Sequence, residues 1–203
     1  MKVVKLLPWN DNWTERETTD SIIVHNSAAD ISSITDIDDW HYERGFRGGC
    51  GYNFLVRKDC KIYEGRPMHI QGAHCTGWNN RSIGICFEGN FNNEQMSREQ
   101  QQAGIDLIRW IRGQYKQTLR ILRHRDANPG TTDCPGENFR NIIIFEGSKD
   151  NMDKITDIDV ALQYLKSIGI ISSLEYWQKV CDVVNYQREF MLNTANKFKE
   201  VLG

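Results

Sequence analysis

The sequence predicts an α/β fold, in which helices cover a central β-sheet. Short β-branched segments alternate with amphipathic segments over most of the chain, and this alternation is typical of α/β proteins. Strands are predicted at 21–25, 52–56 and 119–122, where Ile, Val, Leu and aromatic residues are frequent. Residues 62–63 follow a turn and are expected to pair with the second strand as a hairpin. A strand at 83–87 is apolar on both faces, which indicates a position in the middle of the sheet.

Two amphipathic helices are predicted between these strands. The first ends near Gly45, a typical stop signal. The second begins at Ser97, which forms a capping-box pattern with Gln100. The residues at helical spacing are Ile34, Ile37, Trp40 and His41 in the first helix, and Leu107, Ile108, Ile111 and Tyr115 in the second.

The pattern changes near residues 147–150 and is wholly helical beyond them. Three helices are expected there, the first of which ends at Gly169, a typical C-cap residue. About fifty residues are enough for a three-helix module with a marginal core of its own. We therefore expect a main α/β domain at residues 1–148 and a small all-helical C-terminal module at 149–203.

Charge and hydropathy exclude two classes of function. The formal net charge is −2 and no basic stripe is present, so nucleic acid is not an expected partner. No segment approaches the roughly 18 consecutive apolar residues that span a bilayer, so membrane insertion is not expected. The N-terminal residues lack the features of a secretory signal, and we expect a cytoplasmic protein whose six cysteines are reduced.

Three side chains indicate a metal site. His25 ends one predicted strand and His124 ends another, while Cys134 lies in a loop rich in Gly and Pro. Neighbouring strands can direct their end residues into one cleft, and such a loop can fold a thiolate back to the same point. Two imidazoles and one thiolate match the donors that zinc prefers, and three protein ligands are typical of catalytic zinc. Taken singly, each histidine is more often a surface or hydrogen-bonded residue, and the cysteine a small buried hydrophobe.

Six sequence blocks carry a resemblance to a known family. They are IIVHNSA (22–28), WHYERGF (40–46), GYNFLVRKD (51–59), IYEGRP (62–67), GAHCTGWNNRSIGICFEGNF (72–91) and HRDANPGTTDCPG (124–136). In this order they resemble the type-2, zinc-dependent N-acetylmuramoyl-L-alanine amidases, a family of phage endolysins, bacterial autolysins and animal peptidoglycan recognition proteins. The resemblance implies a mixed β-sheet flanked by helices. It also implies one Zn²⁺ ion per chain, held by His25, His124 and Cys134.

The resemblance also implies roles for assisting residues. Tyr52 matches a tyrosine that hydrogen-bonds near the metal, and Thr132 matches a position that is lysine in some phage enzymes and threonine in active recognition proteins. Some relatives have a glutamate where this chain has Cys86. Glu88 lies two residues further along the same strand face and is a candidate general base. The alternatives are a packed aromatic for Tyr52 and a solvated strand-end carboxylate for Glu88.

Three positions in the loop before the third main strand match family positions that contact muramyl-peptide: His74, Trp78 and Asn79. His74 is expected to hydrogen-bond the substrate carbonyl. Trp78 is expected to cover a sugar or peptide face, with simple packing as the alternative. His41 and His69 are expected to be ordinary histidines.

These features predict an amidase that hydrolyses the bond between the lactyl group of MurNAc and L-alanine in peptidoglycan. The lack of a signal segment favours a phage or prophage endolysin, which stays in the cytoplasm until a holin pore releases it to the cell wall. Residues 149–203 resemble small C-terminal endolysin modules and are expected to bind the wall or to form a homodimer, with structural stabilisation of the catalytic domain as the alternative. The alternatives are a non-catalytic peptidoglycan-binding receptor, which typically lacks the cysteine ligand, and a cytoplasmic muropeptide-recycling amidase.

Overall fold

The computed structural model describes residues 2–117, 119–140, 162, 165–166, 171–173 and 185–202. The chain divides into two compact units, Met1–Ile142 and Ile143–Gly203. The boundary predicted after residue 148 lies outside the described residues, as do most of the first two helices predicted for the C-terminal module. The division into a catalytic domain and a separate module therefore stays a prediction.

The first unit is built on a six-stranded mixed sheet with the strand order β1-β4-β3-β5-β2-β6. β2 is parallel to both β5 and β6, β3 is parallel to β5, and β3 is antiparallel to β4. The predicted mixed α/β fold is thereby confirmed. The strands are β1 (Val3–Lys5), β2 (Ser21–Asn26), β3 (Phe54–Val56), β4 (Ile62–Glu64), β5 (Ser82–Phe87) and β6 (Arg120–Arg123).

The two central strands form the core of the sheet. All six residues of β2 and all six of β5 are buried, as expected for parallel strands whose two faces are both covered. The central position predicted for the strand at 83–87 is confirmed, because β5 pairs with β2 on one side and with β3 on the other. The hairpin predicted at 62–63 is also confirmed, since β4 pairs with β3.

The first helix, α1 (Ile34–Glu43), begins and ends at recognisable signals. Ser33 is its N-cap and forms a reciprocal capping box with Asp36, a cap that was not predicted. Gly45 follows the helix with a φ of 85°, a left-handed conformation in which a β-carbon is disfavoured. The predicted end of this helix is therefore confirmed.

The second helix, α2 (Arg98–Arg112), has only half of its predicted capping box. The Ser97 side chain accepts a hydrogen bond from the Gln100 backbone N–H at 3.0 Å, as expected. The Gln100 side chain does not return to Ser97, and instead donates to the main-chain oxygens of Val56 at 3.1 Å and Glu88 at 2.8 Å. This buried amide ties α2 to the ends of β3 and β5. Tyr115 of the predicted stripe lies beyond the helix end.

Three further features differ from expectation or were not foreseen. Tyr52 lies two residues before β3 rather than within it, and the short strand β1 was not predicted. His124 begins a one-turn helix, α3 (His124–Ala127), in a segment expected to be a loop. The described cysteines are free thiols, and Cys181 lies outside the described residues.

The second unit contains the helix α4 (Asn185–Leu202). Met191, Leu192 and Ala195 are buried on it. Among the described helices of the chain, none combines the length and the apolar character needed to cross a membrane.

Candidate metal centre

The pairing of β2 with β6 brings two histidines together. Val24 and Arg123 are register partners in these parallel strands, so the residues that follow them lie at the same edge of the sheet. Those residues are His25, within β2, and His124, the first residue of α3. Their imidazole rings lie 4.5 Å apart between centroids. His25 is 1% exposed, whereas His124 is half-buried.

Cys134 reaches the same point from the loop after α3. The main-chain oxygen of Cys134 accepts from the Arg125 N–H at 2.8 Å, and its own N–H donates to Thr132 Oγ1 at 3.1 Å. The sulfur accepts from the Asn26 N–H at 3.4 Å and lies 3.7 Å from Nδ1 of His25. These contacts hold the loop, and with it the thiol, against the end of β2.

The three side chains fit a zinc ion. One ligand atom from each of His25, His124 and Cys134 lies within 4.8 Å of the others, and no second group of this kind occurs among the described residues. Tetrahedral zinc with bonds of about 2.0 Å to nitrogen and about 2.3 Å to sulfur places those two donors about 3.5 Å apart. The distance between His25 Nδ1 and Cys134 Sγ, 3.7 Å, agrees with this geometry. A set of two imidazoles and one thiolate suits zinc.

Burial fixes the protonation of these ligands. It lowers the pKa of His25 well below the ordinary value, with the neighbouring histidines acting in the same direction, and it also lowers the pKa of His124. Both imidazoles are therefore neutral and keep a lone pair for a metal ion. Burial raises the pKa of the Cys134 thiol to about 11, so a metal ion that binds there must displace a proton.

Tyr52 lies beside this cluster, with its ring centroid 5.1 Å from that of His25. Burial raises the pKa of its phenol well above the ordinary value, so the hydroxyl stays protonated and can donate a hydrogen bond. The ring packs against a buried apolar cluster that includes Cys86, the cross-strand neighbour of His25. Tyr52 and Thr132 are thus both next to the three candidate ligands, although their predicted catalytic roles stay predictions.

His74 is buried behind His25. Its Nδ1 lies 3.0 Å from Nε2 of His25, and the side chain is only 9% exposed. A β-carbon added to Gly72 or Gly84 would come within 2.3 or 2.4 Å of His74 Cδ2, so the ring edge fills the space that these two glycines leave. Burial lowers the pKa of His74 to about 3.

Asn79 and Trp78 also use their polar atoms within the protein. Asn79 Oδ1 accepts from the main-chain N–H groups of His74 and Cys75, both at 2.9 Å. Trp78 is half-buried, and its indole N–H donates to the Ala127 main-chain oxygen at 3.2 Å. The guanidinium groups of Arg81 and Arg120 lie 5.4 and 5.5 Å from its ring centroid. These contacts support packing for Trp78, and the substrate-binding roles stay predictions.

Glu88 is bonded on both carboxylate oxygens. One oxygen accepts from the Ser32 N–H and from an Arg57 guanidinium nitrogen, and the other from the Lys58 N–H and Arg57 Nε, at 2.8 to 3.2 Å. The side chain is 2% exposed, so the expectation of a solvated strand-end carboxylate was wrong. These bonds favour a structural role over that of a general base.

Comparisons with known proteins agree with this geometry. The family described as N-acetylmuramoyl-L-alanine amidase matches residues 15–137, more than half of the chain. The chain belongs to this amidase family. The resemblance inferred from the six sequence blocks is confirmed.

Relatives of two kinds are similar to this chain. Peptidoglycan-recognition protein SC2 of Drosophila melanogaster is 38% identical over 118 residues, 57% of this chain and 63% of that protein. The endolysin of Enterobacteria phage K11 is 30% identical over 131 residues, 61% of this chain and 84% of the endolysin. The chain thus spans less than two thirds of the length of the recognition protein.

Solved structures share the fold. N-acetylmuramoyl-L-alanine amidase LysC from Clostridium intestinale is 36% identical, with a TM-score of 0.63 over 68% of this chain and 91% of that one. Drosophila PGRP-LB is 25% identical, with a TM-score of 0.60 over 68% and 89% of the two chains.

Two residues of this amidase-family site were missed in the sequence. The main-chain N–H of Asn26 donates to the Cys134 sulfur, because β2 continues one residue past His25. Arg125 pairs with Glu137, and its charge opposes the larger effect of burial on the pKa of Cys134. Arg125 adjoins His124 in the last sequence block, which was a usable signal. Asn26 adjoins His25 in the first block and carried the same signal.

The contacts of Glu88 predict that Glu88→Gln lowers the free energy of unfolding by about 3 kcal/mol. The substitution leaves the half-buried Arg57 without its charged partner and places buried amide hydrogens opposite main-chain donors. Urea unfolding measures this. Asp106→Asn, which removes an exposed i,i+3 pair with Arg109, is the control, with an expected loss of about 0 to 1 kcal/mol. A fully stable Glu88→Gln protein without activity would support the general-base role instead.

The buried histidines predict a loss of stability on acidification of the metal-free protein. Burial lowers the pKa of His41 to about 4 and that of His74 to about 3, whereas an unfolded histidine titrates near about 6.5. As the pH falls from about 6.5 to 4, the unfolded chain takes up protons that the folded chain does not. Each such histidine then costs up to about 1.4 kcal/mol per pH unit.

Urea unfolding at several pH values in a chelating buffer measures this slope. In the wild type, His41 Nδ1 accepts a hydrogen bond from the Gly51 N–H at 2.8 Å. The variant His41→Asn removes the titrating ring but keeps a side-chain acceptor for this N–H. We expect a smaller slope for this variant. If the free energy of unfolding changes with pH equally in the variant and the wild type, His41 has the same protonation in the folded and unfolded states.

Proposed function

We propose that this chain is a zinc-dependent N-acetylmuramoyl-L-alanine amidase, which hydrolyses the amide bond between the lactyl group of MurNAc and L-alanine in peptidoglycan. The observation that carries the proposal is the convergence of His25, His124 and Cys134 within 4.8 Å in a chain of this family. Three ligands of this kind are the number found in catalytic zinc sites, whereas structural sites have four.

The ligand side chains would hold one Zn²⁺ ion per chain through His25 Nδ1, a ring nitrogen of His124 and the Cys134 sulfur. Zinc, when bound, supplies Lewis-acid chemistry, which polarises a carbonyl group and makes water nucleophilic near neutral pH. The Asn26 N–H and Arg125 favour the thiolate form of Cys134.

Hydrolysis places a negative charge on the lactyl carbonyl oxygen as the tetrahedral intermediate forms. The protonated phenol of Tyr52 lies beside His25 and is a suitable hydrogen-bond donor to that oxygen. Thr132 Oγ1 already accepts from the Cys134 N–H, so its own hydroxyl proton is directed elsewhere and can be donated. Each donor contributes only where the oxyanion comes within about 3 Å.

An endolysin role is supported by phage relatives. The endolysins of Enterobacteria phage K11 and Klebsiella phage KP32 are each 30% identical to this chain, which covers 84% of their length. An endolysin amidase from Clostridium intestinale, LysCS, is 36% identical, with a TM-score of 0.63. In this proposal the enzyme acts on the cell wall of a host bacterium after release through a holin pore.

A peptidoglycan receptor is the second candidate, because recognition proteins reach 38% identity to this chain. A receptor needs a surface that binds peptidoglycan but not a complete set of metal ligands. Cys134 is held by hydrogen bonds from Asn26 and to Thr132, which orient both its sulfur and its main chain. This arrangement supports an enzyme, and the experiment below distinguishes the two functions.

We expect the purified protein to release stem peptides with new L-alanine amino termini from sacculi, and a chelator to abolish this release. Cys134→Ala should lower turnover by at least about 100-fold, because metal catalysis contributes several kcal/mol to the transition state. Cys60→Ala, which removes a partly buried thiol from a turn outside the site, is the matched control and should keep full activity.

Amino-terminal labelling and assays for reducing sugars distinguish the outcomes. New reducing ends would identify a glycosidase. Binding to sacculi without any product would favour the receptor. Unchanged release from metal-stripped protein would refute zinc dependence.

The C-terminal module is proposed to bind the wall or to form a homodimer. Deletion of residues 151–203 should then weaken co-sedimentation with sacculi while hydrolysis of small soluble muropeptides continues. Sedimentation equilibrium of the full chain and the deletion tests the dimer. If the deletion binds sacculi as strongly as the full chain does, residues 151–203 do not target the wall.

A further inference from the structure

The two ring nitrogens of His25 have different neighbours. Nδ1 lies 3.7 Å from Cys134 Sγ, whereas Nε2 lies 3.0 Å from His74 Nδ1. The first distance is that of two donors to one metal ion, and the second is that of a hydrogen bond. His25 therefore faces the metal site with one nitrogen and the protein interior with the other.

This arrangement determines the tautomer of a metal-bound His25. A neutral imidazole that gives the Nδ1 lone pair to a metal carries its proton on Nε2. At 1% exposure that N–H has no access to solvent and requires a protein acceptor. His74 Nδ1 lies at the correct distance, so the His25 N–H donates and the His74 nitrogen accepts.

We infer that His74 is a positioning residue for the metal centre, which fixes the tautomer and the ring orientation of His25 by accepting a hydrogen bond from its Nε2–H. The inference deepens the proposed function and rests on it, because it assumes a metal ion at His25. It differs from the expectation that His74 hydrogen-bonds the substrate carbonyl. Partners of this kind commonly orient metal-bound histidines and raise their basicity.

The second nitrogen of His74 is not free for substrate either. Nε2 is buried. A β-carbon added to Gly72 or to Gly84 would lie only 2.8 Å from this nitrogen, so the ring occupies the space that the two glycines leave. Gly84 lies in β5, so this edge of the ring faces the sheet. With Nδ1 accepting from His25, the proton of His74 is on Nε2, an atom that has no hydrogen-bond partner among the described residues.

Hydrogen bonds hold the main chain of the loop before, at and after His74. Asn79 Oδ1 accepts from the N–H groups of His74 and Cys75, and the Ala73 N–H donates to the Gly51 main-chain oxygen at 2.8 Å. The His74 main chain therefore cannot move away from His25 without breaking three hydrogen bonds. Asn79 thus supports His25 indirectly, through the loop.

His74→Leu and His74→Asn test the inference as a matched pair. Leu and Asn have nearly the same shape and leave the same space, but only Asn offers an acceptor near the position of Nδ1. Zinc affinity is measured by competition with a chromophoric chelator, and the absorption spectrum of the cobalt-substituted protein reports the coordination. We expect His74→Leu to bind zinc about 10 to 100 times more weakly than the wild type. We expect His74→Asn to stay within about threefold and to keep the wild-type cobalt spectrum.

His69→Leu removes an exposed histidine and controls for adventitious zinc binding. Asn79→Ala retains the His74 ring and should weaken zinc binding less than His74→Leu does, which gives a second test if the ring variants are poorly folded. Equal zinc affinity for His74→Leu, His74→Asn and the wild type would overturn the inference. Normal zinc affinity with a raised KM in His74→Leu would instead identify a substrate contact. A wild type that binds zinc but cleaves nothing would refute the amidase proposal alone.

Discussion

The parallel pairing of β2 with β5 and β6 is the constraint on which the whole site depends. It aligns Val24 with Arg123 and His25 with Cys86, so both histidine ligands leave the sheet at the same edge. Because side chains alternate along a strand, a slip of one residue in either pairing would turn His25 away from His124. Full burial of β2 and β5 disfavours such a slip, because it would move every side chain to the opposite covered face and disrupt the close packing there.

The same burial sets the electrostatics. It keeps His25 and His124 neutral, Tyr52 protonated and the Cys134 thiol protonated until a metal ion replaces the proton. A cation in this environment has little water to screen it, and its effect on a nearby carbonyl group is correspondingly large. The cost of burying polar groups here is offset locally, because the groups described bond to one another: His25 to His74, and Cys134 to the chain of β2.

Local patterns in the sequence were enough to predict five of the six strands and the helices α1 and α2, and they indicated the three candidate metal ligands. Apolar periodicity reports burial, and the motif blocks carried the resemblance that the family comparison confirmed. What could not be predicted involves partners distant in sequence. Gln100 has the pattern of a capping residue, yet its amide bonds to β3 and β5. Glu88 is a strand-end carboxylate that proves to be buried against Arg57. His74 matches a position that contacts substrate in the family, but one of its ring nitrogens faces His25 and the other faces the sheet. Only the folded chain reveals these contacts.

The burial of His74 and the internal bonds of Asn79 also limit the direction from which a substrate can approach. Around the fully buried His25, the half-buried groups are Tyr52, His124, Thr132 and Cys134. Two of these are candidate ligands and two are the proposed donors to the oxyanion, so the side of the site that solvent reaches is also the side where the chemistry is proposed. The opposite side, behind His25, consists of His74 and the glycines that accommodate it. Substitutions there should act through the metal ligand, whereas substitutions at Tyr52 or Thr132 should act on the developing charge and leave metal affinity unchanged.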